Sequence, residues 1–279
     1  MRFLSGVNDR TAFVSYCIGM KRSLFAVAAL ALAGCAAGPP RTDTTFTSAN
    51  QDSRAQYLVI HFTSEPFESS LETLTRGDGK VSSHYLVRDN PPTVYQLVDE
   101  NRRAWHAGDS AWKGQTQLNA ASIGIEIVNL GLKGPPGAQA WAEYPPAQME
   151  AVMALVRDII KRHGIRPDRV VGHSDIAPQR KVDPGPRFPW KRLADEGLVV
   201  WPDAADVARR LPAFDALLPD VVWFQDRLAK HGFAVPHNGE LDEATVRVIS
   251  AFQMKYRPAR YDGMPDAETA AMLDVLTGP

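Results

Sequence analysis

Apolar and polar positions along the chain group into segments whose periods predict its elements. Tyr57-Leu58-Val59-Ile60-His61-Phe62 is a nearly continuous apolar run, the pattern of a buried strand. Residues 67–76 predict a helix, followed by Gly77 and Gly79. Strands at 83–87 and 93–98 flank Asp89-Asn90-Pro91-Pro92, turn chemistry that makes the pair a hairpin. In residues 122–128 isoleucines alternate with Gly124 and Glu126, which share the opposite face. Pro146 suits the first turn of a helix. Its stripe is Met149, Val152, Met153, Val156, Ile159 and Ile160, and Gly164 closes it. A short strand at 169–171 leads into a loop containing His173. Strands, a long helix and a further strand predict an α/β domain, a mixed central sheet flanked by helices.

Beyond it the pattern turns helical. Residues 202–219 read as a helical connector. Asn238-Gly239-Glu240-Leu241-Asp242-Glu243-Ala244-Thr245 is matched by Asp262-Gly263-Met264-Pro265-Asp266-Ala267-Glu268-Thr269. Each copy is a turn followed by a helix capped by Asp242 or Asp266. With a helix at 221–231 they make a small three-helix domain, its core drawn from Trp223, Phe224, Leu228, Ile249, Phe252 and Leu273.

Composition changes little in this picture. Of 279 residues, 44% are hydrophobic and 23% charged, ordinary for a soluble globular protein. A net charge of −1 offers no basic excess for nucleic acid. The N-terminus adds more. Met20-Lys21-Arg22 precedes the apolar run from Leu24 to Gly34, too short to span a bilayer but suited to an export signal. It ends in Leu32-Ala33-Gly34-Cys35, which resembles the lipobox of bacterial lipoproteins. That resemblance implies a signal peptide starting at Met20, residues 1–19 being a misplaced start, and an acylated Cys35 as first mature residue. Cys17 is then absent from the mature chain, so no disulfide forms. Ala36 after the cysteine implies an outer-membrane protein facing the periplasm of a Gram-negative cell. Residues 36–53, rich in Gly, Pro, Ser and Thr, read as a flexible tether.

Candidate chemistry centres on residues 169–190. His173 and Asp183 carry side chains that ligate zinc, and a catalytic zinc site needs three protein ligands with an open position. His61, near the end of the first apolar strand, is the natural third. Glu126 lies in an apolar strand, where a carboxylate is costly unless partnered or functional, and a zinc hydrolase needs a base for its water. Lys181, two residues from Asp183, can stabilise the oxyanion formed when water attacks a carbonyl.

The segments VIHFT, SHYLV, WHAG, SIGIEIVN, VGHSDIAP and RKVDPGPRFPW, in this order, resemble the type 2 N-acetylmuramoyl-L-alanine amidases over residues 54–200. The C-terminal repeat resembles the three-helix peptidoglycan-binding module over residues 216–279, after a connector at 201–215. The combination is most similar to AmiD-like outer-membrane lipoprotein amidases. By position, the resemblance implies Zn2+ on His61, His173 and Asp183, with Glu126 and Lys181 catalytic. It implies peptidoglycan and muropeptides as partners, and a membrane association through the lipid on Cys35. His84 and His106 lie in the family's motifs but are not expected as ligands. Two rivals remain: a non-catalytic wall-binding lipoprotein, and a zinc peptidase acting within the stem peptide.

Overall fold

The computed structural model describes residues 40–278. Its strands are β1 (Tyr57–Phe62), β2 (Tyr85–Val87), β3 (Val94–Gln96), β4 (Ala111–Trp112), β5 (Gln115–Thr116), β6 (Ser122–Ile127), β7 (Leu132–Lys133), β8 (Ala140–Trp141) and β9 (Val170–Gly172). Its helices are α1 (Phe67–Thr75), α2 (Pro146–His163), α3 (His173–Ile176), α4 (Trp190–Asp195), α5 (Ala204–Ala216), α6 (Val221–His231), α7 (Glu243–Tyr256) and α8 (Ala267–Thr277). The chain divides into two units, Met1–Ala49 and Asn50–Pro279. In the first, residues 40–49 are exposed and lack regular structure. The export signal and Cys35 lie outside the described residues. No helix among the described residues is long and apolar enough to cross a membrane.

The main sheet of the second unit has the order β3-β2-β6-β1-β9. β1 lies parallel to both β6 and β9, and β2 is parallel to β6, whereas β3 returns antiparallel from the hairpin. A central strand in such a sheet is covered on both faces, which explains the unbroken apolar run of β1.

The two faces have different covers. Leu58, Ile60, Ile123, Ile125 and Ile127 join the α2 stripe in one buried cluster. Gly164, left-handed at φ 65°, ends α2 as its C-cap. Tyr57, Val59 and Val171, on the opposite face, belong to a second cluster that continues into Phe224, Leu228, Ile249 and Phe252 of the C-terminal helices. The helical module therefore completes the core of the sheet. Burial of one large side chain such as Phe252 stabilises by roughly 1.5–3 kcal/mol.

Within the module the repeat has a structural cause. Gln225 accepts from the Gly239 backbone N–H and donates to Thr245 Oγ1, both at 2.9 Å. Gln253 repeats the arrangement with Gly263, at 2.9 Å, and Thr269, at 3.1 Å. Gly263 is left-handed, and a Cβ there would lie 2.4 Å from the Val246 carbonyl oxygen. Asp242 and Asp266 cap α7 and α8, each accepting at 2.8 Å from the N–H three residues on. α5, within the stretch read as a helical connector, packs on the module: Arg210 pairs with Asp274 of α8, and Phe214 packs on Trp223. Trp223 is only half-buried, unlike the other expected core residues.

Candidate active site

The sheet register brings the chemistry together. In the parallel pair β1–β6, His61 stands opposite Glu126, so both side chains leave the same face of adjacent strands. β9 flanks β1 on the other side and delivers His173 immediately after its last residue. His173 was expected in a loop; it instead opens the one-turn helix α3. The Gly172 N–H donates to the Asp175 carboxylate at 2.8 Å, which closes that turn. All three side chains thus sit at the carboxyl ends of parallel strands, the usual place for a ligand crevice in such sheets.

Asp183 returns from the following loop. Its carbonyl accepts from Ser174 N–H at 2.8 Å, and the buried Tyr144 hydroxyl donates to the next carbonyl, Pro184 O, at 2.8 Å. These bonds hold Asp183 Oδ2 at 3.2 Å from His61 Nδ1 and 3.1 Å from His173 Nδ1, and the two Nδ1 atoms are 2.9 Å apart. A tetrahedron with metal bonds of about 2.0 Å has edges of about 3.3 Å, so three donors at these separations fit one small cation.

Electrostatics favour the same arrangement. Burial, reinforced by His173, pushes His61 down to about 4, leaving a neutral imidazole with a free lone pair at neutral pH. Burial acts to raise Asp183, but His173 and His61 outweigh it and hold the carboxyl well below the usual range. Glu126 moves the other way: burial, then the Asp183 carboxylate, push it well above an ordinary glutamate, with Lys181 opposing. Glu126 Oε1 is 4.0 Å from His61 Nδ1, and Oε2 is buried with no hydrogen-bond partner among the described residues. Beside this cluster lies a cavity of about 260 Å³, lined by Phe62, Trp105, Glu126, His173, Lys181 and Asp183 among others.

The structure therefore assembles all five residues singled out from the sequence. It also shows roles that the sequence does not reveal. His84 is fully buried, accepting from Gly124 N–H at Nδ1 (3.0 Å) and bonding the Arg102 carbonyl through Nε2 (3.1 Å). His106 bonds His61 directly, Nδ1 to Nε2 at 3.0 Å. Tyr144 carries no motif signal, since only its contact with Pro184 distinguishes it from a core aromatic.

Fold and site define a class: an α/β sheet whose parallel strands end in a convergent His–His–Asp set beside a carboxylate with one buried, unbonded oxygen, the makings of a metal-dependent hydrolase. The chain belongs to the N-acetylmuramoyl-L-alanine amidases of the Amidase_2 family, matched over residues 51–186. Residues 218–273 match PG_binding_1, a peptidoglycan binding domain. N-acetylmuramoyl-L-alanine amidase AmiD of Escherichia coli strain K12 is 45% identical over 272 residues, covering 92% of this chain and 98% of that protein. The solved complex of E. coli AmiD with the substrate anhydro-N-acetylmuramic acid-L-Ala-D-gamma-Glu-L-Lys aligns at a TM-score of 0.75 and 44% identity, over 84% of this chain and 93% of that one. AmpDh3 from Pseudomonas aeruginosa, in complex with anhydromuramic pentapeptide, aligns at 0.77 and 36% identity, over 85% and 96%. The chain is thus an amidase of the bacterial cell wall, periplasmic, from a metal-dependent family.

Proposed function

We propose that this enzyme hydrolyses the amide between N-acetylmuramic acid and L-alanine in peptidoglycan and its fragments, with zinc on His61, His173 and Asp183. The observation that carries this reading is the convergence of three donor atoms within 3.2 Å of one another beside Glu126, whose Oε2 is buried without a hydrogen-bond partner among the described residues. Zinc bound there supplies a Lewis acid that polarises the scissile carbonyl and acidifies water. Glu126, with its Oε2 buried and without a hydrogen-bond partner among the described residues, deprotonates the attacking water. Lys181, which lines the same cavity, supplies positive charge for the lactyl carbonyl oxygen as negative charge develops on it. Glu126 then passes the proton to the L-alanine nitrogen as the C–N bond breaks. The products are a muramoyl carboxylate and a stem peptide.

E. coli AmiD and P. aeruginosa AmpDh3 were both solved with anhydromuramic peptides, which supports such fragments as substrates of this chain. The lipobox-like Leu32–Cys35 supports an acylated Cys35 as mature N-terminus, anchoring the enzyme in the outer membrane by a tether at 36–53. On this reading residues 54–200 are catalytic, 201–215 connect, and 216–279 bind the wall.

The test is digestion of a defined anhydro-muropeptide and of purified sacculi, read by mass spectrometry with and without a chelator. Release of peptides beginning with L-alanine, lost on chelation and restored by zinc, is expected. Cleavage inside the stem peptide, or sacculus binding without products, overturns the proposal.

A further inference from the structure

We propose that His106, Ser122 and the Leu118 carbonyl form a positioning relay that sets the tautomer of His61, while the Ala107 carbonyl sets that of His173. The inference rests on the ligand assignment above and deepens it.

The relay is argued from its fixed end. A backbone carbonyl can only accept, and the Ser122 hydroxyl lies 2.6 Å from Leu118 O, so its hydrogen is committed there. Ser122 Oγ can then only accept from His106 Nε2, 3.1 Å away. A neutral imidazole has one N–H, so His106 Nδ1 is bare and accepts from His61 Nε2 at 3.0 Å. His61 Nδ1 is bare in turn, and it is the atom that faces His173 and Asp183. In the opposite polarity His61 would carry its hydrogen on Nδ1, inside the donor cluster, where it would exclude a cation.

His173 obeys the same logic through the neighbouring residue. Its Nε2 lies 3.2 Å from the Ala107 carbonyl, which can only accept and which Arg180 also reaches; a hydrogen placed there leaves Nδ1, 3.1 Å from Asp183 Oδ2, free to hold a cation. The consecutive residues 106 and 107 therefore orient both histidines, one through a side chain and one through the backbone. Their own placement is over-determined. Asn119 Oδ1 accepts from the backbone N–H groups of His106 (3.0 Å) and Ala107 (2.8 Å). Asn119 belongs to the same short 3-10 turn, Leu118–Ala120, whose carbonyl anchors Ser122. The His106 ring lies on Gly124 of β6, where any Cβ would approach its Cγ to 2.5 Å. Glycine at that position thus makes room for the relay. Partners of this kind, which orient a metal-binding histidine through its second nitrogen, typically change metal affinity about 10–100-fold when removed.

The test uses the full chain and the variants Ser122→Ala, His106→Phe and His106→Gln. Glutamine keeps an acceptor toward His61 and a donor toward Ser122, whereas phenylalanine keeps only the ring packing. Two readouts are needed. Zinc affinity by chelator competition should fall about 10–100-fold in Ser122→Ala and His106→Phe, and recover substantially in His106→Gln. Long-range 1H–15N spectra of the imidazoles in zinc-free protein should show His61 as the Nε2–H tautomer in the parent and as a mixture in Ser122→Ala. Unchanged zinc affinity in both disruptive variants, or an unchanged His61 spectrum in Ser122→Ala, overturns the relay. The spectra need no metal, so a parent chain that failed to bind zinc would sink the ligand assignment while the relay was still judged on its tautomers.

Discussion

Lys255 of α7 donates to Asp175 of α3 at 2.7 Å, with the two side chains only 4% and 1% exposed. This buried ion pair joins the helical module to the turn that carries His173. Asp175 Oδ2 also accepts from Gly172 N–H, and the Lys255 ammonium lies 4.3 Å from the centre of the Trp190 ring. The other carboxylate oxygen, Oδ1, has no hydrogen-bond partner among the described residues. A module that resembles a detachable wall-binding unit is thus joined to the turn that carries His173.

Lys255→Met should destabilise the enzyme by roughly 3–5 kcal/mol, because it leaves the Asp175 carboxylate buried without its counter-charge. Adding Asp175→Asn should restore part of that loss. Urea unfolding of the two variants measures both. Equal stability of parent and Lys255→Met would mean that the pair contributes nothing.

Glu126→Gln should bind zinc like the parent yet lose roughly 10²–10⁴ in kcat, the usual contribution of a positioned base. Lys181→Ala should lose roughly 10²–10³, as for removal of one oxyanion-stabilising group. Metal content and single-turnover rates on the same samples separate a chemical defect from a binding one. Loss of zinc from Glu126→Gln would reassign that residue as a ligand.

His231 supplies a pH dependence remote from the catalytic cluster. Buried between Trp112 and Phe252 and bonded to the Tyr256 hydroxyl, it is pushed down to about 3 by burial and then by Lys255 and Lys113, with Asp168 opposing. In the unfolded chain it titrates near 6.5. Its depressed folded value means that its stabilisation is complete above 6.5 and is lost as pH falls toward 3. The slope it adds in that window is about 1.4 kcal/mol per pH unit. Unfolding of parent and His231→Phe at pH 7.5, 6 and 5 should give a shallower decline in the variant; parallel curves would reject the assignment.

If Cys35 carries the proposed lipid anchor, the parent should fractionate with membranes and label with palmitate, and Cys35→Ser should shift to the soluble periplasm and lose the label. Cell fractionation and radiolabelling read this directly. Membrane retention of the serine variant would exclude a lipid anchor at that residue.

Local patterns carry much of this protein in its sequence. The apolar run of β1, the Ile–Gly–Ile–Glu alternation of β6, the α2 stripe with Gly164 and the caps at Asp242 and Asp266 each depend on neighbours within a turn or a strand. The candidate site residues were singled out for a different reason: His61, Glu126, His173, Lys181 and Asp183 lie in segments that together match a known family. The tertiary structure decided what those patterns could not. Only strand register places Glu126 beside His61, since each strand's period is the same whatever its partner. Only packing shows that the helical module covers the second face of the sheet, because its apolar residues would suit a separate core equally well. The contacts of His106 with His61 and of Lys255 with Asp175 join residues far apart in the chain. No sequence period links such residues; they meet because the fold closes around them.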